Sequence, residues 1–117
     1  MAGLRDVVHG FAERDGVEAV VVVSGDGLPI DQVIREGLDA EAVAALTATV
    51  AQGARRLGQT FDGARFTTGV LEFENQLVVF SEVGAENLLF VLIAPDTNIG
   101  PLLYDLRRHG PAIAALL

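Results

Sequence analysis

Two short segments of this sequence have almost no polar positions. Val17 to Ser24 is nearly all apolar and contains four consecutive valines, and Leu88-Leu89-Phe90-Val91-Leu92-Ile93 has no polar residue at all. A strand with one wet face alternates polar and apolar side chains, so runs of this kind belong to strands covered on both faces. The two segments are therefore placed side by side in the centre of a sheet, and a sheet buried on two sides needs helices on both.

The remaining pattern supplies them. Leu4, Val7, Val8 and Phe11 lie on one face of a short helix that Gly16 ends. Ser24-Gly25-Asp26-Gly27 is a turn, and the alternating Leu28, Ile30, Gln32 and Ile34 predict a hairpin strand over 28–34, at a sheet edge because of Pro29. Asp39 is the predicted N-cap of a long helix reaching about Gln59, with Glu41 in its first turn and Arg55 and Arg56 in its last. Its stripe of Val43, Leu46, Val50, Ala54 and Leu57 is the side expected to face the sheet. Phe66–Glu74, Gln76–Val83 and Asn87–Ala94 read as three more strands, joined at Asn75 and at Gly84-Ala85-Glu86. Thr97 or Asn98 is expected to cap a final helix buried through Ile99, Leu102, Leu103, Leu106, Ile113 and Leu116, with Gly110-Pro111 kinking or dividing it. The order α-β-β-α-β-β-β-α across residues 1–117 describes one α+β domain with an antiparallel sheet.

Composition removes several functions. Sixteen acidic against eight basic side chains leave a formal charge of −8, which repels a phosphate backbone, so nucleic acid is not an expected partner. There is no cysteine for a disulfide, a thiolate nucleophile or a Cys-ligated zinc site. All the basic residues are arginine, so neither a phosphate-loop lysine nor a Schiff base is available. The longest apolar run, Leu88 to Ala94, falls far short of the roughly 20 residues that cross a membrane, so no membrane insertion is expected. Asp6, His9 and Glu13 interrupt the first fourteen residues where a signal peptide would be apolar, which points to the cytoplasm.

No constellation for catalysis, cofactor or metal emerges. The Gly-rich turn at 24–27 leads into a strand, without the helix N-terminus that a phosphate loop requires. His9 has Glu13 four residues on and His109 has no His, Glu or Asp three or four residues on, too few ligands to close a metal site. Ser24 and Ser81 lie outside any G-x-S-x-G elbow, and Glu72, Glu74 and Glu82 read as solvated carboxylates near a hairpin.

The side of the long helix opposite the predicted sheet-facing stripe carries Glu41, Ala44, Ala45, Ala48, Ala51, Gln52 and Arg55. It is small in the middle and oppositely charged at its ends. Two copies crossing antiparallel at Ala48 would bring each Glu41 to the other's Arg55, a self-complementary arrangement that predicts a homodimer.

Taken together, the element order, the Ser24-Gly25-Asp26-Gly27-Leu28-Pro29-Ile30 hairpin, the alanine-rich helix and Pro95-Asp96-Thr97-Asn98-Ile99-Gly100-Pro101-Leu102-Leu103 resemble the roadblock (dynein light chain) family in its bacterial form. The resemblance implies a profilin-like, five-stranded antiparallel sheet with the long helix on one face and the terminal helices on the other. It also implies pairing of two subunits through the long helix and the strand Phe66 to Glu74, with Phe66, Thr68 and Val70 at the interface of one continuous sheet. By the same resemblance the homodimer is a non-catalytic partner of a small Ras-like GTPase. Arg55 or Arg56 is the nearest candidate for an arginine finger. A structural adaptor and a profilin-like small-ligand sensory module are the alternatives.

Overall fold

The chain is described by a computed structural model covering residues 3–117. Its elements are α1 (Leu4–Ala12), β1 (Val17–Val23), β2 (Pro29–Val33), α2 (Ala40–Gln59), β3 (Thr68–Phe73), β4 (Gln76–Val83), β5 (Asn87–Ile93) and α3 (Gly100–Ala115). The strands form one antiparallel sheet in the order β2-β1-β5-β4-β3. The two apolar segments are thus neighbours at the centre, with Val21 opposite Phe90. Pro29 begins the edge strand β2, where a missing N–H is tolerated.

Alternation along the central strands builds two cores. Val20 and Val22 turn, with Val79, Leu89 and Val91, toward Val8 and Phe11 of α1 and Leu102, Leu106 and Ile113 of α3. Ala19, Val21 and Val23 turn the other way, with Val78, Phe80, Phe90 and Leu92, toward α2. Each fully buried Val, Leu or Phe contributes roughly 1.5–3 kcal/mol, so losing either helical layer would expose half of the favourable term that holds the sheet. The long helix on one face and the two terminal helices on the other are as the resemblance implies.

The helix ends follow their local chemistry, with two corrections. Asp39 Oδ1 accepts from the backbone N–H groups of Glu41 at 3.0 Å and Ala42 at 3.3 Å, which fixes the start of α2. At its far end the Gly58 carbonyl accepts from the N–H groups of Phe61 and Ala64, and a Cβ on Gly58 would stand 2.3 Å from the Ala64 oxygen. The cap of α3 is Ile99, not Thr97 or Asn98. Thr97 Oγ1 instead donates to the Ala94 carbonyl, while Asn98 Oδ1 accepts from Gly100 N–H at 3.1 Å. Nor is α3 divided at Gly110-Pro111: it runs through to Ala115, and Gly110 has no Cβ to collide with the proline ring.

Candidate functional site

The long helix is turned by about a quarter turn from the predicted orientation, taking 100° per residue. Ala44 and Ala51 are wholly buried, Thr47 and Gly58 are buried beside them, and Ala48 packs at the margin of the same core. Leu46 is 66% exposed, Leu57 59% and Val50 41%. The inner face therefore falls between the two predicted stripes, with Ala44 and Ala51 of the small one and Val43 at the margin from the large one, while Leu46, Val50 and Leu57 lie outward.

The reason is the hairpin turn between β1 and β2. Ser24 N–H donates to the Leu28 carbonyl at 2.8 Å and Gly27 N–H to the Ser24 carbonyl at 2.9 Å, folding the turn back toward α2. Gly27, at a φ of 78°, is buried there, and a Cβ on it would meet Ala48 Cβ at 3.4 Å and Ala45 Cα at 3.5 Å. A helix seated this close to a turn and to the valine strand admits only small side chains on its inner face. Its leucines and valine are left on the outside.

The outward stripe continues onto the sheet. Leu71 and Phe73 of β3 sit across from Val78 and Gln76 of β4, on the α2 side, and remain 36% and 55% exposed. Between α2 and these strands runs a groove of about 230 Å³, lined by Val43, Leu46, Val50, Leu71, Phe73 and Phe80 among others, with almost no polar surface. Gly69 shapes its floor: a Cβ there would come 2.4 Å from Phe80 Cζ, so only glycine lets that ring lie across β3. Phe66 packs on the same ring, with centroids 5.5 Å apart. A monomer rarely leaves so continuous an apolar surface in water unless it is an interaction face.

The predicted interface residues scatter across this geometry. Glu41, Ala45 and Gln52 are exposed on α2. Ala44 and Ala51 have no surface with which to meet a partner, and Ala48 is occupied by the turn, so the Ala48-centred stripe does not form an outer face. Arg55 is not positioned for Glu41 of a second copy, because its Nε donates to Glu82 Oε1 at 2.7 Å. Its Nη2 is buried without a hydrogen-bond partner among the described residues. On β3, Thr68 Oγ1 pairs with Ser81 Oγ at 3.1 Å on the face of the terminal helices, and Val70, opposite Val79, shares that face and is 45% exposed. Phe66 is partly buried against the α2-side core. Leu46, Val50, Leu57, Leu71 and Phe73 are the exposed large apolar residues of this region, and hydrophobicity alone ranks the three on α2 as inward-facing.

The chemistry-bearing side chains stay apart. His9, His109, Glu72 and Glu74 are exposed, and no group of three or more potential metal ligands is gathered among the described residues. Ser24 Oγ accepts from Leu28 N–H within its turn, and the Ser81 hydroxyl donates to the Thr67 carbonyl. Glu82 corrects the expectation of a solvated carboxylate: its side chain is 8% exposed and held by Arg55. Among the described residues, no helix is long and apolar enough to cross a membrane.

Comparison with known proteins agrees with this architecture. The Roadblock/LC7 domain of Streptomyces avermitilis superposes with a TM-score of 0.87 at 23% identity, covering 97% of each chain. MglB of Myxococcus xanthus gives 0.88 at 17% identity over 97% of this chain and 93% of that one. The gliding protein MglB of Thermus thermophilus gives 0.84 at 18% over 97% and 87%. None of the curated proteins matches the sequence. The family description that does match, Roadblock/LC7 domain, spans residues 4–94 and so takes in α1 and the whole sheet with α2. The chain belongs to the Roadblock/LC7 domain family.

Proposed function

We propose that two copies of the chain pair through α2 and β3, and that the paired helices form a non-catalytic platform for a small Ras-like GTPase. The observation that carries the reading is the exposed ridge of Leu46, Val50 and Leu57 beside Leu71 and Phe73. Along that ridge the spacing is self-complementary. In an antiparallel crossing, Leu46 of each copy meets Leu57 of the other, and Val50 meets Gly53, where a side chain would find open space. The two free edges of the sheet are β2 and β3, and β3 is the one beside this ridge. Pairing there continues the sheet from one copy to the next.

The GTPase enters from family membership, and the size of the platform favours it: a standard interface takes roughly 800 Å² from each partner, more easily found on two helices than on one. The ridge offers apolar contact and no nucleophile or acid–base pair, which fits a binding role. Arg55 is held by Glu82, so among the described residues Arg56, exposed on α2, is the one of the two arginines left free to meet a partner.

Leu46→Glu tests both halves of the reading. Sedimentation at micromolar concentration is expected to show a dimer for the parent and a folded monomer for the variant. A Ras-like GTPase from the same organism, loaded with GDP or a non-hydrolysable GTP analogue, is expected to bind the parent in one nucleotide state and to lose at least tenfold in affinity for the variant. A monomeric parent would remove the dimer, and equal binding by parent and variant would remove the platform. Failure to bind in either state, with the dimer intact, would favour a structural adaptor.

A further inference from the structure

On the face of the sheet away from α2, a cleft of about 540 Å³ opens where α3 passes the paired ends of β3 and β4. Its walls are apolar at Leu106, Pro111 and Ala114. Its floor is polar, built from the hydroxyl pair of Thr68 and Ser81, with Ser81 also bonded to the Thr67 carbonyl at 3.2 Å. Arg65 and Arg107 stand on its rim.

The distribution of charge gives these two arginines their meaning. Carboxylates outnumber arginines sixteen to eight in this chain. Arg5, Arg14, Arg35 and Arg55 are engaged by Asp31, Asp105, Glu18 and Glu82. Arg65 stands only at the limit of an ion pair, 4.0 Å from Glu82, a carboxylate whose other oxygen already holds Arg55 at 2.7 Å. Arg107 has no carboxylate within ion-pair distance among the described residues. Arg56 and Arg108 likewise have no carboxylate within ion-pair distance among the described residues, but Arg65 and Arg107 are the two that line one concave surface, where the single lining carboxylate, Glu82, is already held by Arg55.

We infer that this cleft binds a small ligand whose carboxylate or phosphate group is held between Arg65 and Arg107 and whose apolar body lies against α3. Guanidinium groups present paired donors that match either oxyanion, and the exposed Thr67 hydroxyl is a further donor at the same rim. The volume is in the range of small-molecule sites. The cleft faces away from the ridge on α2 but takes in Thr68 of β3, the proposed pairing strand. The inference therefore needs no GTPase, and adding Leu46→Glu to each protein tested reads the accessibility of the cleft with and without the dimer.

The test is a titration followed by two-dimensional NMR at constant ionic strength, with phenyl phosphate and benzoate as probes. The proteins are the parent, the double variant Arg65→Gln/Arg107→Gln, and Arg56→Gln as a control on the other face. Saturable shifts at Thr67, Thr68, Ser81 and Ala85 are expected in the parent, with affinity reduced at least tenfold in the double variant and unchanged in the control. Tighter binding of phenyl phosphate would assign the natural oxyanion to a phosphate, and tighter binding of benzoate to a carboxylate. Shifts that do not saturate, that persist in a folded double variant, or that weaken equally in Arg56→Gln would overturn the site.

Discussion

Gly27 packs on Ala48: a Cβ on the glycine would already be in van der Waals contact with the alanine methyl, at 3.4 Å, and the glycine's φ of 78° disfavours any side chain there. The alanines of α2 are thus the socket for the β1–β2 turn. Together with the seating of Ala44 and Ala51 on the sheet, this contact sets which side of the helix is left for a partner.

Ala48→Glu is accordingly expected to weaken the fold, not merely to separate subunits. Overpacking of this kind costs about 1–3 kcal/mol. The measurement is urea denaturation in a Leu46→Glu background, so that loss of a dimer does not enter. A midpoint unchanged by Ala48→Glu would mean that the turn and the helix do not touch in solution.

Gly69 and Phe80 provide a second matched pair. Gly69→Ala alone should cost about 1–3 kcal/mol, because the new methyl group would lie within 2.6 Å of two atoms of the Phe80 ring. With Phe80→Leu present, much of that penalty should vanish, giving a coupling of at least about 1 kcal/mol in a double-mutant cycle. Additive effects would contradict the packing described.

The Arg55–Glu82 pair is asymmetric, and its two deletions should differ. Arg55→Met keeps the apolar stem in place but leaves a carboxylate that is 8% exposed with only Arg65, 4.0 Å away, to balance it. Glu82→Gln leaves an Arg55 side chain that is 34% exposed overall, although its Nη2 is buried. The first is expected to cost about 2 kcal/mol and the second about 1 kcal/mol by chemical denaturation. The reverse order would show that the buried charge is neutralised by some other group.

The central strands were legible because burial on both faces writes itself as an unbroken apolar run, and the edge strand because Pro29 marks it. The N-cap at Asp39 was legible for the same local reason. The orientation of α2 was not. Periodicity reveals that a helix has two stripes, and hydrophobicity then ranks the Leu46–Val50–Leu57 stripe as the buried one. What turns the helix away from that ranking is a tertiary fit, with Ala44 and Ala51 seated on the sheet and Gly27 packed on Ala45 and Ala48, which leaves no signature in either segment alone. The same holds for two residues of the candidate interface: periodicity places Ala44 and Ala51 outward, and they are wholly buried. The ion pair that captures Arg55 was hidden similarly, since Glu82 lies on a strand that sequence spacing does not bring near the helix.

The pairing of β1 with β5 also sets the order in which the protein can be completed during synthesis. A ribosome delivers Val17–Val23 early and Asn87–Ile93 late, so the four-valine strand spends the interval with β2 on one side and an open edge on the other. The β3-β4-β5 meander closes through local hairpins, whereas the union of β1 with β5 is a long-range event and the slow one. An open valine-rich edge is a template for strands of other chains. A nascent chain that stalls before Leu88 therefore leaves its most adhesive strand uncovered, and one that has passed Ile93 carries every strand needed to shield it.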